Sequence, residues 1–225
     1  MQIDGREYED VKGIVINNTI EYVKAKLEGE GSGHDWWHVY RVWKNSILIS
    51  ENEKVDMYIV ELAALLHDIG DWKFYNGDET VGPRLAREWL NKNGVDESIV
   101  QQVSNIIGKM SYKGKGVKSE MDTIEGMVVQ DADRLDAIGA IGIARAFAYG
   151  GSKGREMYNP NRKPEYHETF EQYKSSTGTT INHFYEKLLL LKDLMNTNTA
   201  KKIAAERHEF MENFLEQFYG EWSGR

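Results

Sequence analysis

The run Ala63-Ala64-Leu65-Leu66-His67-Asp68-Ile69-Gly70-Asp71 constrains this chain more than any other stretch. An apolar helical run ends in an adjacent imidazole and carboxylate, then a glycine, then a second carboxylate. A core helix has no packing reason to finish on ionisable groups, because burying them is costly unless a partner or a metal compensates. The expected helix runs from about Val55 to Gly70, capped by Asp56, with Ile59, Leu62, Ala63 and Leu66 on its buried face and Gly70 supplying its end. Neighbouring residues on a helix point about 100° apart, so His67 and Asp68 reach one ion only from the helix end. The other ligands must then come from elsewhere in the chain.

Apolar spacing near 3.6 residues predicts helices almost throughout. One covers 8–29 through Val11, Ile14, Ile16, Ile20, Val23 and Leu27, and a second opens within Gly33–Trp43 behind the N-cap Asp35 and runs to about Asn52. Others are expected over 83–93, stopped by Asn93-Gly94, and over 97–110, 120–149, 181–195 and 199–222. The last carries Ile203, Phe210, Phe214, Leu215 and Phe218. Strand alternation, internal repeats, low-complexity segments and a second-domain boundary are all missing from the pattern. The expected fold class is therefore all-α, a single-domain helical bundle over residues 1–225. Its metal core lies at about 34–149, its C-terminal helices over 165–222 pack on that core, and Gly150-Gly151, Asn159-Pro160 and Lys163-Pro164 mark a candidate lid at 149–179.

Composition narrows the chemistry. The chain has no cysteine, which removes disulfides, thiolate nucleophiles and Cys-based zinc sites, so a metal must sit on histidine and carboxylate ligands. No apolar run is long enough to span a bilayer and no basic-then-apolar leader opens the sequence, so the cytoplasm is the expected setting and no membrane partner is expected. A net charge of −8 argues against a general nucleic-acid binder but permits a small anionic substrate. Monomer and homodimer both remain open.

Four further stretches carry chemistry. His34, His38 and Arg41 stand at i, i+4 and i+7, so one helix face holds two imidazoles and a guanidinium; taken alone, a histidine there is more often a hydrogen-bonded core residue. Asp71 to Gly82 is an aromatic, polar loop beside the His-Asp pair, and Ser111 to Lys118 is a loop with three lysines that contrasts with the acidic chain. Lys73, Lys113 and Arg134 are local positive charges that an anionic ligand of so acidic a chain would need. Trp36, Trp72, Phe74, Tyr75 and Tyr112 are available to stack a base, although such aromatics more often belong to a core. Between Val128 and Gly142, Asp131, Asp133 and Asp136 are embedded in an apolar helix, so at least one carboxylate points inward. The small residues Gly139, Ala140, Gly142 and Ala144 would let another helix approach closely.

In order, His38, His67-Asp68 and Asp133 resemble the H…HD…D ligand set of the HD-domain metal-dependent phosphohydrolases, all-α proteins that hydrolyse phosphate esters and anhydrides. The blocks Gly-His-Asp-Trp-Trp-His-Val-Tyr-Arg-Val, Leu-Leu-His-Asp-Ile-Gly-Asp, Met-Ser-Tyr-Lys-Gly, Gln-Asp-Ala-Asp-Arg-Leu-Asp-Ala-Ile-Gly and His-Phe-Tyr-Glu-Lys-Leu look like the YedJ/YpgQ-like branch, over nearly the whole chain. The resemblance implies that His38, His67, Asp68 and Asp133 ligate one divalent ion, with Mn favoured and Mg, Co, Fe, Ni and Zn as alternatives. It leaves Asp131 as a supporting or structural group and His34 as a contact to substrate or to the ligands. No histidine lies between His67 and His167, which implies a mononuclear site unless carboxylates substitute. Asp71 matches a candidate acid–base position; otherwise it caps its loop. Asp136 would orient a metal-bound water, pair with a nearby arginine or serve helix packing. His34, Arg41, Lys73, Lys113 and Arg134 form the candidate substrate and phosphate set, while His167, His183 and His208 read as ordinary polar or packing residues. The implied reaction splits a nucleoside or deoxynucleoside triphosphate into monophosphate and pyrophosphate. A 5′-nucleotidase, a cyclic-nucleotide phosphodiesterase and a non-catalytic nucleotide sensor are the alternatives.

Overall fold

A computed structural model describes residues 5–29, 35–70, 78, 80–110, 120–165 and 178–225. Among the described residues every regular element is helical, as the all-α reading requires. The α-helices are α1 (Gly5–Leu27), α2 (Trp36–Ser50), α3 (Met57–Leu66), α4 (Val81–Lys92), α5 (Glu97–Gly108), α6 (Ile124–Asp136), α7 (Gly139–Ser152), α8 (Thr180–Glu186) and α9 (Asn198–Trp222), with a 3₁₀ turn at Leu188–Leu194 between the last two. Packing sorts them into two compact units that divide inside α6, after Gln130.

The first unit is built around α3, against which α1, α2 and α5 pack while α4 pairs with α5. Tyr58 to Leu66 is buried all round except at half-buried Glu61, the pattern of a helix enclosed by others. Glu61 Oε2 accepts a hydrogen bond from Trp43 Nε1 at 2.9 Å, so α2 compensates the one carboxylate on that helix. The caps are those expected: Asp35 accepts from the His38 backbone N–H, and Asp56 from that of Tyr58. Asp56 in turn donates its own N–H to Glu125 Oε1 at 3.0 Å, tying the first turn of α6 to the start of α3. Gly94 ends α4 in the left-handed region at φ 69°, as Asn93-Gly94 predicts.

The inward face of α1 differs from the expected one. Val15, Ile16, Thr19 and Val23 are buried, whereas Val11 and Ile14 are about half exposed. The polar Thr19 joins this face because its hydroxyl donates to Val15 O at 2.8 Å and accepts from Trp89 Nε1 at 2.9 Å. Trp89 also stacks on Tyr22, with ring centroids 3.9 Å apart. The face thus follows the tryptophan on α4 rather than apolar count along α1.

In the second unit α7 packs with α8 and α9, and the 3₁₀ turn packs with both. Phe184 is fully buried and stacks against Phe214 at 5.9 Å, with Phe147 closing the cluster. Two expectations are corrected here. The 120–149 stretch is two helices, because Gly139 adopts φ 73°, which a continuous α-helix cannot contain. The 181–195 stretch leaves α-geometry at Lys187, φ −141°, and continues as 3₁₀. On α9 the buried face is Ala200, Ala204, Met211 and Leu215, while Phe210 is exposed. Of the candidate lid, 153–165 carries anchors to α8, including Thr180 N–H to Glu156 O at 3.0 Å, and 166–177 lies outside the described residues.

Candidate metal centre

Helix α3 stops at Leu66, one turn before the expected end, and its C-cap is His67 itself. Gly70 is not a left-handed terminator. A Cβ there would meet the Cα and N of Gly82 at 3.0 Å, so its smallness lets the start of α4 pass against the His-Asp turn. His67 Nδ1 lies 2.8 Å from the Ala64 carbonyl oxygen. A carbonyl only accepts, so Nδ1 carries a proton, and the tautomer this selects has its lone pair on Nε2. That nitrogen faces His38, which the cap at Asp35 positions in the first turn of α2 and whose side chain is 1% exposed.

Three donor atoms converge. His67 Nε2 and His38 Nε2 are 3.3 Å apart, Asp68 Oδ2 is 3.3 Å from His38 Nε2, and the same oxygen is 3.5 Å from His67 Nε2. Donors about 2.1 Å from a shared ion stand about 3.0 Å apart in octahedral geometry and about 3.4 Å in tetrahedral geometry. The observed spacing fits a divalent cation. Two imidazole nitrogens and a carboxylate oxygen form the nitrogen–oxygen set that Mn, Fe, Co, Ni and Zn accept.

The remaining sequence candidates fall into two groups. Arg41 is half-buried on α2, three residues after His38. Asp133 is half-buried near the end of α6, between Asp131 and Asp136, whose side chains are buried. Asp136 forms an ion pair with Arg145 at 2.5 Å, the second of its three expected roles. Arg134 donates Nη1 to the Leu194 carbonyl and sits 3.9 Å from Asp131. His34, Asp71, Lys73 and Lys113 lie outside the described residues, as do Trp72, Phe74, Tyr75, Tyr112 and His167. Trp36 has Lys24 over its ring at 5.2 Å. The small-residue expectation holds at Gly139, which the Arg207 stem of α9 crosses, whereas Gly142 faces the backbone of its own Ala137.

Burial drives the resolved shifts in the second unit. It pushes the Asp131 carboxyl up, opposed by hydrogen bonds from Thr197 and Asn196. It pulls His183 down to about 3, reinforced by Lys187 and Arg155. The half-buried His183 ring on α8 is thereby held toward its neutral form. The residues that sequence reasoning missed are the partners of the aspartate-bearing end of α6: Arg145 on Asp136, Asn196 and Thr197 on Asp131, and Arg207 on the Leu135 carbonyl. Only Thr197 carried a local signal, as a helix N-cap.

Residues 36–138 match the HD domain family, and the chain belongs to the HD superfamily of metal-dependent phosphohydrolases. Among its relatives, YpgQ of Bacillus subtilis is 43% identical over 199 residues, which cover 87% of this chain and 88% of that protein. Its crystal structure in complex with ADP superposes with a TM-score of 0.75 at 36% identity, covering 94% of this chain and 96% of that one. An HD-superfamily hydrolase from Bacillus thuringiensis gives a TM-score of 0.76 at 48% identity over 95% of this chain and all of the other. Among the described residues no helix is long and apolar enough to cross a membrane.

Proposed function

We propose that this chain, 1–225 acting as one HD domain, is a nucleoside or deoxynucleoside triphosphate pyrophosphohydrolase that favours Mn and works on small nucleotides in the cytoplasm. The observation that carries the reading is the convergence of His38 Nε2, His67 Nε2 and Asp68 Oδ2 within 3.5 Å of one another. The nucleotide part is supported by the YpgQ complex with ADP, and Asp133 completes the ligand set through its place in the H…HD…D order. A divalent ion bound there supplies a more acidic water and a polarised phosphorus–oxygen bond.

The chain's own residues do the rest. His67, its tautomer set by the Ala64 carbonyl, holds its Nε2 lone pair on the site. Asp71 takes the proton from the attacking water as the water oxygen bonds to the α-phosphorus. The bond from that phosphorus to the α–β bridging oxygen breaks, and pyrophosphate leaves with the oxygen. Lys73, Lys113, Arg134, Arg41 and His34 supply positive charge and hydrogen bonds to the triphosphate, offsetting an otherwise acidic chain.

Phosphorus NMR of the purified protein with Mn²⁺ and a mixture of deoxynucleoside triphosphates tests the reaction. Pyrophosphate is expected. Tripolyphosphate or orthophosphate would keep the hydrolase and refute the cleavage position, and no turnover would refute triphosphates as substrates.

A further inference from the structure

The last helix grips the aspartate-bearing end of α6 on both sides of Asp133. Two residues before it, the buried Asp131 carboxylate accepts from the backbone N–H groups of Asn196 at 2.8 Å and Thr197 at 2.7 Å. It also accepts from Asn196 Nδ2 and the Thr197 hydroxyl, each at 2.9 Å. Two residues after Asp133, the Leu135 carbonyl accepts from Arg207 Nη1 at 2.5 Å. Asn196 and Thr197 form the N-terminal boundary of α9, where Thr197 is the N-cap, and Arg207 stands on that same helix.

Neither grip is needed to make α6 a helix. The Leu135 carbonyl, in the last turn of α6, accepts from the Ile138 backbone N–H at 3.3 Å, and Arg207 adds a second donor from 72 residues away. Its stem reaches that carbonyl by crossing Gly139, where a Cβ would come within 3.0 Å of Arg207 Cγ. A carboxylate buried as deeply as Asp131 is unfavourable unless several donors converge on it. With Asp131 held at one end and the Leu135 peptide at the other, sliding Asp133 along the α6 axis or rotating it about that axis would break these hydrogen bonds.

We infer that Asp131 and Arg207 are positioning residues, which set the register and rotation of the Asp133 carboxylate through α9. This rests on the reading of Asp133 as a metal ligand. Partners one step removed from a metal orient its ligands, and their loss typically weakens affinity about 10–100-fold. A purely structural role would lower the melting temperature and leave the affinity of the folded protein alone.

The test measures Mn²⁺ affinity of the metal-free full chain by electron paramagnetic resonance at low temperature, with circular dichroism confirming folding. The Co²⁺ visible absorption band reports coordination geometry. Asp131→Ala and Arg207→Met are each expected to bind Mn²⁺ about 10–100-fold more weakly and to alter the cobalt band. If Asp131→Ala fails to fold, Asn196→Ala replaces it, keeping the backbone donors and removing one side-chain donor to Asp131; if Arg207→Met fails, Arg207→Lys replaces it, keeping the charge and losing the reach of the guanidinium; each is expected to shift both readouts in the same direction. Folded variants with wild-type affinity and an unchanged cobalt band would overturn the inference. Asp133→Ala is the control. If it too binds Mn²⁺ like wild type, Asp133 is not a ligand and the parent reading falls; if it loses the metal while the positioning variants keep it, only the clamp is wrong.

Discussion

His67→Ala tests separately the buried hydrogen bond of one ring and the metal ligation proposed for it. The side chain is 3% exposed, and its Nδ1 donates to Ala64 O at 2.8 Å. Removing it deletes a buried hydrogen bond worth about 1 kcal/mol and ring contacts worth about 1 kcal/mol more. For a chain of this length each kcal/mol moves the melting temperature by about 2–4 °C. In EDTA the variant should therefore melt about 4–8 °C below wild type. The metal adds a second term. An ion at 100 times its dissociation constant contributes about 2.7 kcal/mol, so Mn²⁺ at that level should raise the wild-type midpoint by about 5–11 °C. In the variant this increment should vanish, because one of the three converging donors is gone. Scanning calorimetry with EDTA and with Mn²⁺ reads both terms. A variant that keeps the wild-type increment would refute the assignment of His67 as a ligand, whatever its stability in EDTA.

Other perturbations probe neighbouring links. Asp71→Asn should retain the manganese increment while kcat for triphosphate hydrolysis falls by about 10²-fold or more; wild-type kinetics would remove Asp71 from the acid–base role. Gly70→Ala places a methyl 3.0 Å from the Gly82 backbone, which should destabilise by about 1–3 kcal/mol in urea titration; an unchanged midpoint would mean that α4 yields freely there. His183 has a folded pKa pulled from 6.5 down to about 3, so the unfolded chain binds more protons between these values. Its contribution is complete above about pH 6.5 and is lost as pH falls toward 3, with a slope of up to about 1.4 kcal/mol per pH unit. His183→Asn should flatten the stability profile across that window, and equal slopes in the two proteins would contradict burial of the neutral ring.

Most of the first unit was legible because its signals are local. Asp35 and Asp56 are caps that act within three residues of themselves, and Asn93-Gly94 stops α4 through the backbone freedom of one glycine. The errors fall where local signals compete. Val11 and Ile14 keep good helical spacing with the rest of α1, yet Thr19 is buried in their place because Trp89 and Val15 satisfy its hydroxyl. Gly139 looked like a packing residue inside a long helix. It is also the break, since the crossing Arg207 stem needs a residue without Cβ and the chain turns there in the left-handed region.

By itself the sequence determined the all-α class, the placement of His67-Asp68 at the inner end of an apolar helix, and a metal on nitrogen and oxygen ligands. All follow from periodicity, capping chemistry and residue inventory, which act over a few positions or over composition alone. Tertiary structure decided which groups meet. His38 faces His67 across 29 residues, Asp131 finds the start of α9 across 66, and Arg207 reaches Leu135 across 72. A helical repeat shows which face a side chain occupies, but the partner of that face depends on how separate helices pack. Burial then makes the pairing obligatory, because a buried carboxylate or imidazole without partners costs more than a marginally stable fold can absorb.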